Sequence, residues 1–397
     1  MSTQVKFLNG LNTIGGNVVI FTNQQTRLIM DFGVNFAPTT TPATDLLNDG
    51  TLPNLPSLFQ IMQSDLKSTI FISHLHLDHM GALKYLTSPT DVYMSQDSAD
   101  LYQVLINLGV EHAPYAKVKV IDYEKPINFG PFEVTFFETD HDIRGASVIR
   151  VSDGKHIFVH SGDVRLDGSH PERVEHWADV LHDNKIDLFL LEGTEFSFEN
   201  QNDEFVRQTE QSLQIDFANI IKETEKLVVV NPYERNIDRL LALQNTAHEN
   251  GRKFFWDHRF TVILRSMGIK NVQEIDWLKV MSEPSHYVVQ NRFDQLHDLD
   301  QFDKQFVYLH MNGEPLGEYD PRFSELSTYL ETRNVALQLM GASGHAKPDD
   351  LVALAQHVNA KQTVPWHSFK PEKEASELVS AGLNVYLPTK GEILNYN

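Results

Sequence analysis

The sequence predicts an α/β protein in which sheets are packed between helices, with a second α/β unit set into the chain. Three observations carry this reading. The first 195 residues alternate Val-, Ile- and Phe-rich strand runs with helical spacings, the texture changes near residue 200, and a strand–loop–helix pattern resumes near NVALQLMG (334–341). The strand runs are NVVIF (17–21), RLIMDF (27–32), TIFIS (69–73), FEVTFF (132–137), HIFVH (156–160) and DLFLLE (187–192). Helical spacing falls at 96–108 and 171–182, and strands this apolar on both faces call for cover on both faces. The polar stretch 198–205 marks a boundary. Beyond it follow a helix over 204–224, the strand 226–230, a helix over 236–249, the strand 253–256 and a helix over 258–267, a βαβ rhythm.

Composition narrows the chemistry. A chain of 397 residues suits two domains, or one domain with a large insert. There is no cysteine, which excludes disulfides, thiolate metal sites and a cysteine nucleophile, so any metal falls to carboxylates and to the 18 histidines. No apolar run approaches the ~20 residues that span a bilayer. MSTQVKFLNG has no apolar signal core, so a cytoplasmic, membrane-free protein is expected. The net charge of −21 argues against a nucleic-acid coat protein, although bound cations would add positive charge locally.

The strongest local signal is FISHLHLDHMG (71–81). His74 and His76 are two apart and point the same way on extended backbone, whereas Asp78 and His79 lie in the following turn and aim elsewhere. One loop can thus serve two cations, and imidazole with carboxylate suits zinc. Further donors sit at later strand ends: His141 in TDHDIRGAS (139–147), Asp163 in HSGDVRLDG (160–168) and His367 in VPWHSF. Asp31, in MDFG, either orients this centre or is a plain turn aspartate.

His-x-His-x-Asp-His followed by a His, an Asp and a late His resembles the metallo-β-lactamase pattern. LLEGT (190–194), GASGHAKPDDL (341–351) and VPWHSF resemble the three motifs of its β-CASP nuclease branch, and IGGN (14–17) with MDFG (30–33) resembles the ribonuclease J group. The resemblance implies an αββα sandwich formed by 1–195 and 340–397, with 196–339 as an inserted α/β β-CASP cap. It implies two zinc ions, with manganese as the alternative. His74, His76 and His141 would bind one, Asp78, His79 and His367 the other, and Asp163 would bridge them. A water between paired cations becomes the nucleophile, so Asp78 counts as catalytic as well as ligating. His345 is expected to protonate the departing 3′ oxygen, with substrate binding or support of a neighbouring site residue as the alternative role. Glu192 is expected to fix the tautomer of a ligand histidine, or else to be a strand-end carboxylate facing water. Ser343 and Gly344 would line the substrate path.

The implied reaction is phosphodiester hydrolysis, with RNA as substrate and DNA or a small molecule as the alternatives. A homodimer, exonuclease action and digestion polarity stay open. Two features depart from ribonuclease J: the sequence runs 30 residues past His367, so a protein without that group's further C-terminal domain is expected, and Ser368 stands where that group has Gly. Between Arg235 and Lys270 seven basic residues face three acidic ones, a local surplus of four. Asn236 and Arg239, one helical turn apart, are candidate phosphate contacts, with a solvated helix face as the alternative.

Overall fold

The structure, a computed structural model, describes residues 2–34, 43–182, 184–198, 208–317 and 320–397. Its contacts divide it into two compact units. The first comprises Met1–Leu166, His170–Asp203 and Gly344–Asn397, and the second Asp167–Ser169 and Glu204–Ser343.

In the first unit, among the described residues, two sheets face one another. One has seven strands in the order Ile393–Tyr396, Thr3–Asn9, Val18–Asn23, Thr26–Met30, Lys67–Phe71, Asp91–Met94, Lys117–Val120. The other has six, in the order Thr363–Trp366, Leu188–Glu192, Ile157–His160, Ser147–Ser152, Phe132–Glu138, Ile127–Phe129. The period of two decides what meets between them. Val5, Phe7, Val19, Phe21, Leu28, Met30 and Phe71 from the first sheet pack against Val134, Phe136, Ile149, Val151, Phe158, Leu188 and Leu190 from the second. The alternate residues Phe137, Val148, Val159, Phe189 and Leu191 pack outward against Val174, Trp177 and Leu181 of helix Pro171–His182, and against Leu351, Leu354 and Leu378. Ile20, Ile29, Ile70 and Val92, alternating with the inner residues of the first sheet, are also buried. The result is an αββα sandwich whose strands are apolar on both faces, as the sequence predicts. Each such Val, Leu or Phe contributes about 1.5–3 kcal/mol by leaving water.

Two sets of parallel strands position the site. Thr26–Met30 pairs parallel with Lys67–Phe71, and Ile157–His160, Leu188–Glu192 and Thr363–Trp366 pair parallel in the other sheet. Their C-terminal ends deliver Asp31, Ser73, His74, Asp163, Glu192 and His367. In such sheets these ends are where a ligand meets loop residues without interrupting the hydrogen-bond ladder.

The second unit holds a six-stranded, all-parallel sheet in the order Gln273–Glu274, Lys253–Trp256, Tyr287–Gln290, Leu227–Pro232, Phe306–Met311, Leu337–Leu339. Its core includes Leu227, Val229, Phe255, Val289, Tyr308 and Leu326. The helix expected over 204–224 runs Glu210–Glu223, started by a capping box between Thr209 and Ser212; residues 204–207 lie outside the described residues, as does most of the boundary stretch 198–205. No helix among the described residues is long and apolar enough to cross a membrane.

Candidate metal centre

After the strand Lys67–Phe71 the chain bends at Ser73, is extended at His76, and then turns into the short helix Leu77–Met80. That change of backbone separates the two pairs of donors. The segment after Met30 is locked against the same turn: Phe32 N donates to the His79 carbonyl at 2.7 Å, and Asn17 N to that of Asp78 at 2.9 Å. Gly33 has to be glycine here, because a Cβ would sit 1.6 Å from the Asp78 carbonyl oxygen.

Seven side chains that the sequence singles out converge in two groups. His74, His76, His141 and Asp163 form one, and Asp78, His79, Asp163 and His367 the other, with the donor atoms of each group within 4.8 Å of one another. In the first group His76 Nδ1 lies 3.2 Å from His74 Nε2 and 3.1 Å from His141 Nε2. Asp163 Oδ2 lies 3.5 Å from His74 Nε2 and 3.7 Å from His141 Nε2. A tetrahedral zinc with donors at 2.0–2.1 Å has edges of about 3.3–3.4 Å, so these separations fit one cation. In the second group His79 Nε2 is 3.3 Å from Asp163 Oδ2 and 3.6 Å from Asp78 Oδ2, and His367 Nε2 is 2.8 Å from Asp78 Oδ2. Asp163 Oδ1 is buried and accepts no hydrogen bond. The donor set therefore fits a pair of cations sharing Asp163.

In the first group electrostatics agree with that fit. Burial and the neighbouring imidazoles push His74 well below its usual pKa. Burial likewise lowers His76, and it brings His141 to about 4. These three are neutral, lone-pair-bearing rings, the form a cation requires. His79 behaves oppositely: burial works against its charge, but Asp163, Asp78 and Asp31 outweigh it and hold a proton there far above the usual range. Asp78 and Asp163, although burial works against their ionisation, stay well below the carboxylate range because His79 and His367 adjoin them.

Hydrogen bonds fix the rings. His79 Nδ1 donates to Asp31 Oδ2 at 2.8 Å, and Asp31 also accepts from Ser73 N at 2.7 Å and Ser73 Oγ at 2.9 Å. Asp31 is thus an orienting group for His79 rather than a simple turn residue. His141 Nδ1 donates to the Gly344 carbonyl, which leaves Nε2 toward the cluster. A Cβ on Gly344 would lie 2.8 Å from both His141 Cε1 and Asp142 Oδ1, so glycine is required for this approach. Gly344, expected to touch substrate, is engaged in holding His141; Ser343 before it is half-buried.

Glu192 takes a different partner from the one expected. It contacts His345 Nδ1 at 3.2 Å and accepts from Thr194 N at 2.9 Å, so it orients His345 rather than a ligand of the two groups. Burial opposes charge on His345, but Glu192 and Asp163 outweigh it and push its pKa up to about 10. The same motif reaches the second group through Thr194, whose Oγ1 is 2.7 Å from His367 Nδ1.

The phosphate-contact expectation for Asn236 and Arg239 is corrected. Arg239 is fully buried, its guanidinium held by Glu210 (Nη2 to Oε1 2.7 Å) and by the Ala342 carbonyl at 3.0 Å. Asn236 is the buried N-cap of helix Ile237–Glu249 and accepts from Arg239 N at 3.1 Å. Much of the basic surplus is likewise consumed inside the second unit. Arg252 donates to the Ile221 and Lys226 carbonyls, and Arg259 pairs with Glu234, whereas Lys253, Arg265 and Lys270 stay exposed.

Several participants carry no signal in the sequence. Asp142 Oδ1 is 3.3 Å from both His76 Nε2 and His141 Nε2. Asn17 Nδ2 lies 3.0 Å from His79 Nε2. His160, brought to about 4 by burial, lies 3.6 Å from Asp31. Glu374 is buried with neither oxygen hydrogen-bonded, and burial together with the charge on Glu192 holds it protonated far above the usual range. Asn17, Asp142 and His160 lie in segments the sequence singles out, IGGN, TDHDIRGAS and HSGDVRLDG, but not at positions with a signal of their own.

Comparison with known proteins places this geometry. No family model matches the chain. Ribonuclease J of Mycolicibacterium smegmatis is 27% identical over 281 residues, covering 70% of this chain and 48% of that protein. The chain is similar to ribonuclease J. Ribonuclease J of Mycoplasma pneumoniae is 28% identical over 259 residues, covering 63% of this chain and 43% of its own length. The chain therefore spans about half the length of the ribonuclease J proteins it matches. A crystal structure of a protein of unknown function from Enterococcus faecalis V583 superposes over the whole of both chains with TM-score 0.85 at 22% identity, a likeness of fold. The similarity to ribonuclease J and the αββα sandwich agree with the metallo-β-lactamase resemblance of the motifs.

Proposed function

We propose that the chain is a two-metal phosphodiester hydrolase acting on RNA, with zinc as the metal and manganese as the alternative. The observation that carries this reading is the pair of four-donor groups sharing Asp163, with the His345–Glu192 pair beside them. The names of the curated relatives favour RNA. We read 1–195 and 340–397 as the metallo-β-lactamase domain and 196–339 as a β-CASP cap.

Divalent cations held there would supply Lewis acidity that lowers the pKa of water and offsets phosphate charge. The chain's own residues do the rest. Asp31, Thr194 and the Gly344 carbonyl hold the rings of His79, His367 and His141 in the orientations that present donors to the cluster. Glu192 holds His345 protonated through Nδ1, and Nε2 is the atom we assign to delivering a proton to the departing 3′ oxygen. Such a proton donor suits a poor alkoxide leaving group.

The test is digestion of labelled RNA with 5′-triphosphate, 5′-monophosphate or 5′-hydroxyl ends beside matching DNA. Cleavage of RNA supports the reading. Cleavage of DNA alone reassigns the substrate, and leaving all four intact refutes it.

A further inference from the structure

The strands that carry Asp31 and His74 at one end line a cavity at the other. Arg27, second residue of Thr26–Met30, is only 8% exposed. Its guanidinium donates from Nε to Ser68 Oγ at 2.8 Å and from Nη2 to Ser57 Oγ at 3.1 Å. Among the described residues it has no carboxylate partner, and Nη1 has no hydrogen bond. Burial, with no opposing charge to offset it, lowers the pKa even of this guanidinium. Buried arginine is normally paired, because an unpaired buried charge is costly.

Arg27 opens onto a cavity of about 790 Å³, within the size range of small-molecule sites. Hydroxyls of Ser57, Ser68 and Thr90 are among its lining residues. Asp91, also on the wall, is paired with Lys119 at 2.6 Å, and Asp65 is exposed. Lys67 adds an exposed cation, and Ile61 and Met62 present apolar surface, 46% and 63% exposed. A fork-shaped donor among hydroxyls matches a phosphate group, and the apolar pair offers a place for an organic portion. Arg27 and Asp31 are four residue steps apart along the strand, about 13 Å, so this site is distinct from the metal cluster.

We propose that this cavity binds a phosphate group, carried by a small phosphate monoester or free in solution, with Arg27 as its principal anchor. The test uses the purified chain with 5′-AMP, orthophosphate and adenosine, read by calorimetry and by hydrogen exchange of peptides covering 56–68. A phosphate-bearing ligand slows exchange in those peptides and adenosine does not. Arg27→Gln weakens binding by about tenfold or more, the loss of a charged hydrogen-bonding partner. Lys67→Glu, at an exposed position that leaves the core untouched, weakens it several-fold. AMP binding about tenfold tighter than orthophosphate identifies the monoester as ligand, and equal binding identifies the free anion. Absence of protection in 56–68 with both ligands, or binding undiminished by both substitutions, overturns the proposal.

Discussion

The two units handle buried charge in opposite ways. In the second, Arg239 is enclosed and its charge is paired: the Glu210 carboxylate and the Ala342 carbonyl take up its Nε and Nη2 donors, leaving only Nη1 without a partner among the described residues, and Asn236 caps the helix that bears it. In the first, three neutral imidazoles turn nitrogens toward one another at 3.1–3.2 Å, and a buried carboxylate oxygen of Asp163 accepts nothing. A matched cluster holds a fold together. A cluster of lone pairs with a shared focus is an arrangement that a cation completes. Chemistry is therefore read from where polar groups are left unsatisfied, and a count of basic residues is a poor guide to it.

This contrast can be broken most sharply at Asp163. Asp163→Asn is expected to take metal content from about two ions per chain to below one and to abolish hydrolysis; retention of two ions by elemental analysis would remove Asp163 from the bridging position. Next comes His345→Ala, which should keep both ions yet lose about 10²–10⁴ in turnover on RNA. The loss should be much smaller on a p-nitrophenyl phosphodiester, whose leaving group needs no proton. Since Glu192 raises the His345 pKa, the protonated form is present below that pKa and lost above it, so Glu192→Gln should move the alkaline limb of the rate profile to lower pH.

In the second unit the same kind of substitution should act on stability alone. Arg239→Ala leaves Glu210 buried without its partner, which costs about 3–5 kcal/mol. Thermal denaturation should show it, while metal content stays at the wild-type value. A near-native melting temperature with weakened RNA binding would restore Arg239 as a substrate contact. The smallest effect is at Asp31: Asp31→Asn should reduce metal affinity about 10–100-fold by loosening the His79 ring. Unchanged affinity in equilibrium dialysis would reduce Asp31 to a backbone role.

Much of the sandwich was legible because its strands are short, apolar and alternate cleanly, and because His74, His76, Asp78 and His79 sit within six residues on either side of a change in backbone. His141, Asp163 and His367 were legible as strand-end donors in a familiar order. Asp142, Asn17, Thr194 and Glu374 were not, since each is an ordinary residue until the fold brings it to the cluster. Helical spacing placed Asn236 and Arg239 on one face but could not say which way that face turns. The answer lies with Glu210, 29 residues before Arg239. Glu192 was found by its motif, yet its partner His345, 153 residues away, could not be chosen without coordinates.

The most direct test is anomalous diffraction from a crystal of the zinc-loaded protein. Two peaks are expected, one among His74, His76, His141 and Asp163, the other among Asp78, His79, Asp163 and His367. No peak there, or a single peak elsewhere on the chain, would contradict a two-metal centre.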